Sequence, residues 1–432
     1  MISLLKADRG LRAWFTIGQW KKAMKELWFI VIRPIAFVYC GVEYLFLIAC
    51  QARALRGAEY VYPLWFWSFG HQAADLHMLS MRFRGKKILV LLSDYQNFNP
   101  HIINSFREHI DICFLRHSLC MRKACTLLKV LKVRRLKFAL LRLYLCVIRS
   151  KAVLLPEYYE SEGSALEGVF LTERLRLFQE NADMNIVPSP EPIERFHKIL
   201  TETYPSLSDK WFVSLYFRSK IPDVVDFRDT DPAPYKVVVE RIGELGGFVF
   251  CGGDCDPHQL FPDMPNVLGY KDFSCDRSLT DFYFLTQCRF LIGAPSGPVA
   301  IAISFHIPTL ISSTATYYYS GARENQIVLY KKLQDSKTGR VLSAHEIFSL
   351  PIVAFRNGRE FQRAGLLHID NTREEIADAL EEMIQRYIMG KEIVLPEHQF
   401  LYDRFRHLLP KESVAFQTPS RPALSYLQNI VW

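Results

Sequence analysis

A series of short apolar runs, each stopped by glycine or a polar residue, constrains this chain more than any other feature. They are KKILVLLSD (86–94), DICFLR (111–116), WFVSLYFR (211–218), FVFCGGD (248–254), FLIG (290–293) and PTLIS (308–312). Strands buried on both faces read as continuous apolar runs rather than as alternation. YVYPLWFW (60–67), AVLLPE (152–157) and NVLGY (266–270) add three more candidates. Between them, QAADLHMLSMRF, YKVVVERIGELGG (235–247) and SLTDFYFLTQC (278–288, with Ser278 as its cap) have helical spacing. Strand, helix, strand in repetition predicts parallel α/β sheets.

The runs form two groups on either side of 187–210, which is rich in Pro, Glu, Ser and Thr and reads as a linker containing a helix. A chain of 432 residues exceeds one ordinary core, so two domains are expected. The predicted boundaries are an apolar helical segment at 1–57, a first α/β domain at 58–195, a second at 196–385, and a tail at 386–432 that packs back on the first domain.

Residues 27–50, LWFIVIRPIAFVYCGVEYLFLIAC, are apolar but broken by Arg33-Pro34 and Glu43. A spanning helix wants about 20 residues with few charges. A surface-lying or re-entrant segment, or a helical hairpin on the first domain, fits better. From Ile112 to Pro156 there is no acid, while Arg116, Lys132, Arg134, Arg135, Lys137, Arg142 and Arg149 are interleaved with Leu, Val and Phe. A basic amphipathic helix of this kind suits an anionic membrane surface. No nucleic-acid module accompanies the charge, so nucleic acid is not an expected partner. The 10 cysteines lie singly without CxxC spacing, which reads as free thiols in a reducing compartment.

FLIGAPSGPVAIAISFHIPTL (290–310) raises the question of ligands. A strand ends in Gly-Ala-Pro-Ser-Gly-Pro and a helix starts at Pro298, where a missing N–H costs nothing. Ser296 and Gly297 then leave backbone donors pointing outward, a ready anion site. Ligands of open α/β sheets bind beyond the carboxyl ends of strands. Arg218 ends one strand and Asp254 another, while Asp281 lies near a helix start. An arginine facing a helix N-terminus is a sensible diphosphate clamp, and an acid at a glycine turn suits ribose hydroxyls. GxGxxG and GxxxxGK[ST] are both absent, which counts against NAD enzymes and P-loop NTPases. Asp229-Thr230-Asp231 has the spacing of a divalent-cation motif, but it sits in a Pro-rich loop away from an evident strand end, and no metal is expected.

The order WFVSLYFR, RDTDPAPY (228–235), GGFVFCGGD, DFYFLTQCRFLIGAPSG, HIPTLIS resembles a two-domain family of bacterial glycosyltransferases, distantly like the fucosyltransferases. The match covers about 100 residues of the second group. The resemblance implies an α/β GT-B-like fold, two Rossmann-like domains with parallel sheets facing a cleft, here with an N-terminal helical membrane-associated segment added. It implies a nucleotide-sugar donor as co-substrate, with no further cofactor, bound by Arg218, Asp254, Ser296 and Gly297; Asp281 joins them from its position. Tyr283-Phe284-Leu285 and Ala294-Pro295 occupy slots that vary in the family, so the sugar is not carried over. The family also has a Gly-His near its first strand and helix. His71, in WSFGHQAAD, is the candidate base for an acceptor hydroxyl, since its ordinary pKa near 6.5 suits that work, with Asp75 and Asp94 behind it. The expected setting is the cytoplasmic face of a bacterial inner membrane, with a glycan or lipid-linked acceptor in surface polysaccharide synthesis. A catalytically silent membrane-peripheral scaffold of the same fold, or a phosphosugar transferase, would satisfy the same residues.

Overall fold

Each apolar run becomes a strand of one of two parallel sheets. The computed structural model describes residues 35 and 37–432 apart from 65–68, 94–97, 119–129, 156–174, 182–183, 218–226, 254–255, 318–320, 356–357, 392–395 and 412. Arg218, Asp254, Asp94 and residues 27–34 lie outside the described residues, as does the side chain of His71. The chain divides into two compact units: Met1–Trp65, Lys86–Gln96 and Asp111–Glu157 form the first, and Phe66–Gly85, Asn97–Ile110 and Tyr158–Trp432 the second. These units interleave along the chain, where the sequence suggested contiguous blocks.

The first unit holds β1 (Tyr60–Leu64), β2 (Ile88–Ser93), β3 (Asp111–Leu115) and β4 (Val153–Leu154), all parallel, in the order β3-β2-β1-β4. Helices α1 (37–49) and α4 (Val130–Val147) supply Tyr44, Ile48, Leu141 and Leu145 to a core shared with Val61, Leu89, Leu91 and Leu115 of the strands. No helix among the described residues is long and apolar enough to cross a membrane. Helix α1 has a second apolar face: Ile35 just before it and Val38, Val42 and Phe46 along it are each more than 60% exposed. Glu43, which breaks this stretch in the sequence, is turned to Ser118 and His117 instead.

In the second unit, β5 (Phe212–Tyr216), β6 (Phe248–Gly252), β7 (Val267–Leu268), β8 (Leu291–Gly293), β9 (Thr309–Thr314), β10 (Gln326–Tyr330) and β13 (Arg421–Pro422) form a parallel sheet. Its order is β7-β6-β5-β8-β9-β10-β13, the doubly wound order of the Rossmann fold extended by an edge strand. An antiparallel pair, β11 (Lys332–Asp335) and β12 (Leu366–Ile369), stands apart from it. The unit's helices include α2 (Phe69–Arg82), α3 (Pro100–Asn104), α5 (Pro190–Thr203), α6 (Lys236–Glu244), α7 (Arg277–Gln287), α8 (Gly297–Ser304), α9 (Arg373–Tyr387) and α10 (Leu424–Asn429).

Three local expectations change. Helix α5 is an integral element rather than a linker, because Phe196 and Leu200 are buried and Phe196 stacks on Tyr283 at 4.6 Å. Helix α7 is capped by Asp276, not Ser278: Asp276 is extended, and its carbonyl accepts from the N–H groups of Leu279 and Thr280. The described tail builds onto the second sheet, through β13 beside β10 and the ring of Tyr426 5.6 Å from that of Tyr330.

Candidate functional site

Strand order reverses between β5 and β8, and Tyr216 at the end of β5 pairs with Gly293 at the end of β8. The segments leading to Arg218 and to Ser296-Gly297 therefore leave the sheet side by side, at the switch point where doubly wound folds bind ligands. Ser296 is the cap of α8 in fully extended backbone (φ −160°, ψ 178°), and its side chain makes no capping hydrogen bond. Pro298 lies in the first turn. Among the described residues, no group accepts from the N–H of Gly297 or Val299.

Another helix begins at the same place. A Cβ on Gly70, the second residue of α2, would lie 2.1 Å from Cα of Gly297 and 2.7 Å from its carbonyl oxygen. Only glycine permits that approach. The first turns of α2 and α8 meet backbone to backbone, and each helix start carries roughly half a positive charge. His71 is the next residue of α2, so its backbone stands beside this junction. Asp75, one turn further, is fully buried.

Asp281 is also buried, among hydrogen-bond donors. It accepts from the hydroxyl of Tyr216 at 2.9 Å and from that of Tyr270, and Arg277 Nε lies 3.9 Å away. Burial pushes its carboxyl above the usual range, opposed by the two tyrosine hydrogen bonds and the arginine. It thus ties the end of β5 to α7 and to the turn after β7. The turn leading to Asp254 is fixed from the same helix: Arg277 Nη2 donates to the Gly253 carbonyl at 3.0 Å, and its guanidinium lies 4.2 Å from the centroid of Tyr270. Gly253 itself has φ +107°, and a Cβ there would meet the Phe217 carbonyl at 2.9 Å. Arg277 was missed in the sequence, where CDRSLTD carries no signal beyond a helix start.

The Asp229-Thr230-Asp231 loop wraps a buried lysine. Lys331 Nζ donates to the carbonyls of Phe227 and Asp229 at 3.1 and 2.6 Å and pairs with Asp370 at 2.7 Å. Asp231 Oδ1 accepts from Ala233 N at 3.0 Å, closing a turn.

A second polar group lies at the carboxyl ends of the first unit's strands, which the sequence did not reveal. Ser93 Oγ at the end of β2 is 3.1 Å from His117 Nε2, just beyond β3. His117 Nδ1 is 3.7 Å from Glu43. Lys137 Nζ donates to Ser93 Oγ at 3.5 Å and lies 5.0 Å from the Tyr44 ring centroid. Lys137, expected on a membrane-facing surface, is fully buried. Its neighbours in sequence gave no sign of this, because the helical period turns some residues of any basic run towards the core and others towards solvent.

Switch point, paired helix starts and parallel order place the second unit in the doubly wound α/β class. No family model and no curated protein matches the sequence. Solved structures similar to it include a family 9 glycosyltransferase from Veillonella parvula DSM 2008, at 11% identity and a TM-score of 0.42 over 63% of this chain and 87% of that one. E. coli ADP-heptose LPS heptosyltransferase II is similar at 10% identity and a TM-score of 0.44, over 76% and 99%. The UDP-GlcNAc 2-epimerase of Neisseria meningitidis, bound to UDP-GlcNAc, is similar at 10% identity and a TM-score of 0.36, over 62% and 85%.

Proposed function

We propose that this protein is a glycosyltransferase that moves a sugar from a nucleotide-sugar donor to a glycan or lipid-linked acceptor in bacterial surface polysaccharide synthesis. The observation that carries this reading is the backbone contact of Gly70 with Gly297 beside the strand switch point. Two helix starts converging there favour an anion, and the leaving nucleoside diphosphate is the anion such a reaction produces. The amides of Ser296 and Gly297 and the guanidinium of Arg218 hold the departing phosphate, so its charge is met without a metal. Asp254 takes the ribose hydroxyls. Asp281 acts through Tyr216 and Tyr270, holding the strand ends in place. His71 removes the proton of the acceptor hydroxyl as its oxygen bonds to the anomeric carbon and the bond to phosphate breaks. Asp75 supports the helix turn that presents it.

The reading places the enzyme on the cytoplasmic face of the inner membrane. Ile35, Val38, Val42 and Phe46 form an exposed apolar ridge, and Leu143 and Val147 are exposed on α4 of the same unit. The acid-free sequence 112–156 suits an anionic lipid surface, to which each nearby Lys or Arg contributes about 1 kcal/mol.

Calorimetric titration with UDP, GDP, ADP and CMP tests the donor site. The wild type binds at least one of them, and Arg218→Ala weakens that binding about 10- to 100-fold with unfolding unchanged, as loss of a charged hydrogen-bond pair requires. A wild type that binds none of the four would overturn the enzyme reading and favour the scaffold.

A further inference from the structure

We propose that Arg277, laid across the ring of Tyr270, is the platform on which the base of the donor nucleotide stacks, and that it favours purine over pyrimidine diphosphates. This rests on the donor site proposed above and gives a partner to the one part of the nucleotide left without one.

The sheet sets the order of the parts. Along its carboxyl edge the strands run β8, β5, β6, β7, at spacings of about 4.8 Å. Ser296-Gly297 follow β8 and Arg218 follows β5, so on that reading the diphosphate lies at this end. Asp254, for the ribose, follows β6. A nucleotide extended along the edge carries its base past the Gly253 turn, towards the residues after β7. Those residues are Gly269 and Tyr270.

The surface there is flat and fixed. The guanidinium of Arg277 lies 4.2 Å from the centroid of the Tyr270 ring, and Phe250 meets that ring edge-on at 5.3 Å. The Tyr270 hydroxyl donates to Asp281 and accepts from Gly253 N at 3.4 Å. Arg277 Nη2 donates to the Gly253 carbonyl at 3.0 Å, one residue before Asp254. The turn that carries the ring is pinned from the other side. Asp272 accepts from Gly269 N at 2.7 Å and lies 2.9 Å from His258 Nε2, and Lys271 pairs with Asp256 at 2.7 Å. A platform held in place beforehand loses little entropy when a ligand binds.

Two features point outward to a ligand. Arg277 is the first residue of α7, where the helix dipole is positive and a cation is unfavourable. Asp281, 3.9 Å from its Nε, offsets part of that cost. A charge set against its own helix is the kind of local conflict that collects at functional sites. The Arg277 side chain is also still 54% exposed, while the ring beneath it is half-buried. A guanidinium is planar and weakly hydrated, so the face turned away from Tyr270 suits a second flat π system. A two-ring base covers more of that face than a one-ring base, which gives the preference for purines.

The test compares ADP, GDP, UDP and CDP with inorganic pyrophosphate, which has no base, by calorimetry on the full chain. The wild type binds the purine diphosphates at least about 3-fold more tightly than the pyrimidine diphosphates, from the larger stacked area. Arg277→Lys keeps the charge and a donor for the Gly253 carbonyl but removes the plane. It weakens ADP and GDP about 10-fold, brings purines and pyrimidines to within about 2-fold of each other, and changes pyrophosphate affinity by less than about 2-fold. Equal binding of the two base classes by the wild type, or a pyrimidine preference, overturns the platform without any variant. So does Arg277→Lys that binds ADP as the wild type does, or that loses as much affinity for pyrophosphate as for ADP. In each of these cases nucleotide binding by the wild type leaves the donor site standing. Binding of none of the five ligands overturns both readings.

Discussion

Gly70 and Gly297 set the finest constraint in this protein, since neither backbone can retreat from a methyl group placed between them. Gly70→Ala is expected to cost at least about 1–3 kcal/mol, the usual range for overpacking, and to abolish nucleotide binding. Urea denaturation and calorimetry on the variant check both; a stable variant with unchanged binding would show that the helix starts do not form the anion site. Glu382 offers a charge-based test. Burial pushes its carboxyl up to about 7, while it accepts from the N–H of Leu424. A carboxyl whose pKa is raised on folding contributes stability below its unfolded value near 4.5, and that contribution is lost as pH rises through 7. Glu382→Gln keeps an acceptor and removes the charge. It should be more stable than the wild type at pH 8 by up to about 3 kcal/mol, with the difference shrinking towards pH 5 in thermal melts.

Among the elements, α7 joins core and site. Its Phe284 stacks on Phe250 of β6 at 3.8 Å and meets Phe212 of β5 edge-on at 5.0 Å, while Asp281, one turn earlier, holds Tyr216 and Tyr270. Phe284→Ala is expected to destabilise by about 3–5 kcal/mol, the usual cost of truncating a buried aromatic. Nucleotide affinity should fall with it if the strand ends move, which calorimetry below the melting point measures. Helix α1 is the other element with two tasks. Its Tyr44 and Ile48 belong to the core, and the face with Val38, Val42 and Phe46 does not. Val42→Glu with Phe46→Glu should leave folding intact and reduce flotation with anionic vesicles several-fold. Equal flotation of wild type and variant would remove the membrane docking.

Across the whole molecule, acid sensitivity is expected from imidazoles that folding depresses: His101 and, furthest, His306 and His368. Burial holds His368 and His306 down at about 4, and His368 Nε2 shares a hydrogen bond with the Ala315 carbonyl. A pKa depressed on folding contributes stability that is present above the unfolded value near 6.5 and is lost as pH falls towards 4. Glu382 and Asp281, whose carboxyls burial raises, have the opposite slope, so the net acid loss is what the depressed histidines leave once these carboxyls are set against them. The urea midpoint should fall between pH 7 and pH 5, and His368→Gln should flatten that fall; an unchanged slope in the variant would exclude His368 as a contributor.

Much of this architecture could be read along the chain. KKILVLLSD, WFVSLYFR and FVFCGGD announced buried strands because parallel strands covered on both faces need unbroken apolar runs. GAPSGP announced a helix start because proline in the first turn and an extended serine before it are local matters of backbone donors. The two-residue β13 left no trace, since so short a strand has no period. Gln326–Tyr330 also went unread as β10, although every residue in it is buried. Glu43 looked like a break in an apolar segment and Lys137 like a surface cation, yet both turn inward to partners far away in sequence. Local chemistry thus determined strands, helices and the bare helix cap, because backbone hydrogen bonding and apolar periodicity act over a few residues. Tertiary structure alone decided that Gly70 meets Gly297, that Asp281 gathers two tyrosines, and that Arg277 holds the turn at Gly253. Each of those contacts joins segments whose separation along the chain carries no signal until the sheet has set their order.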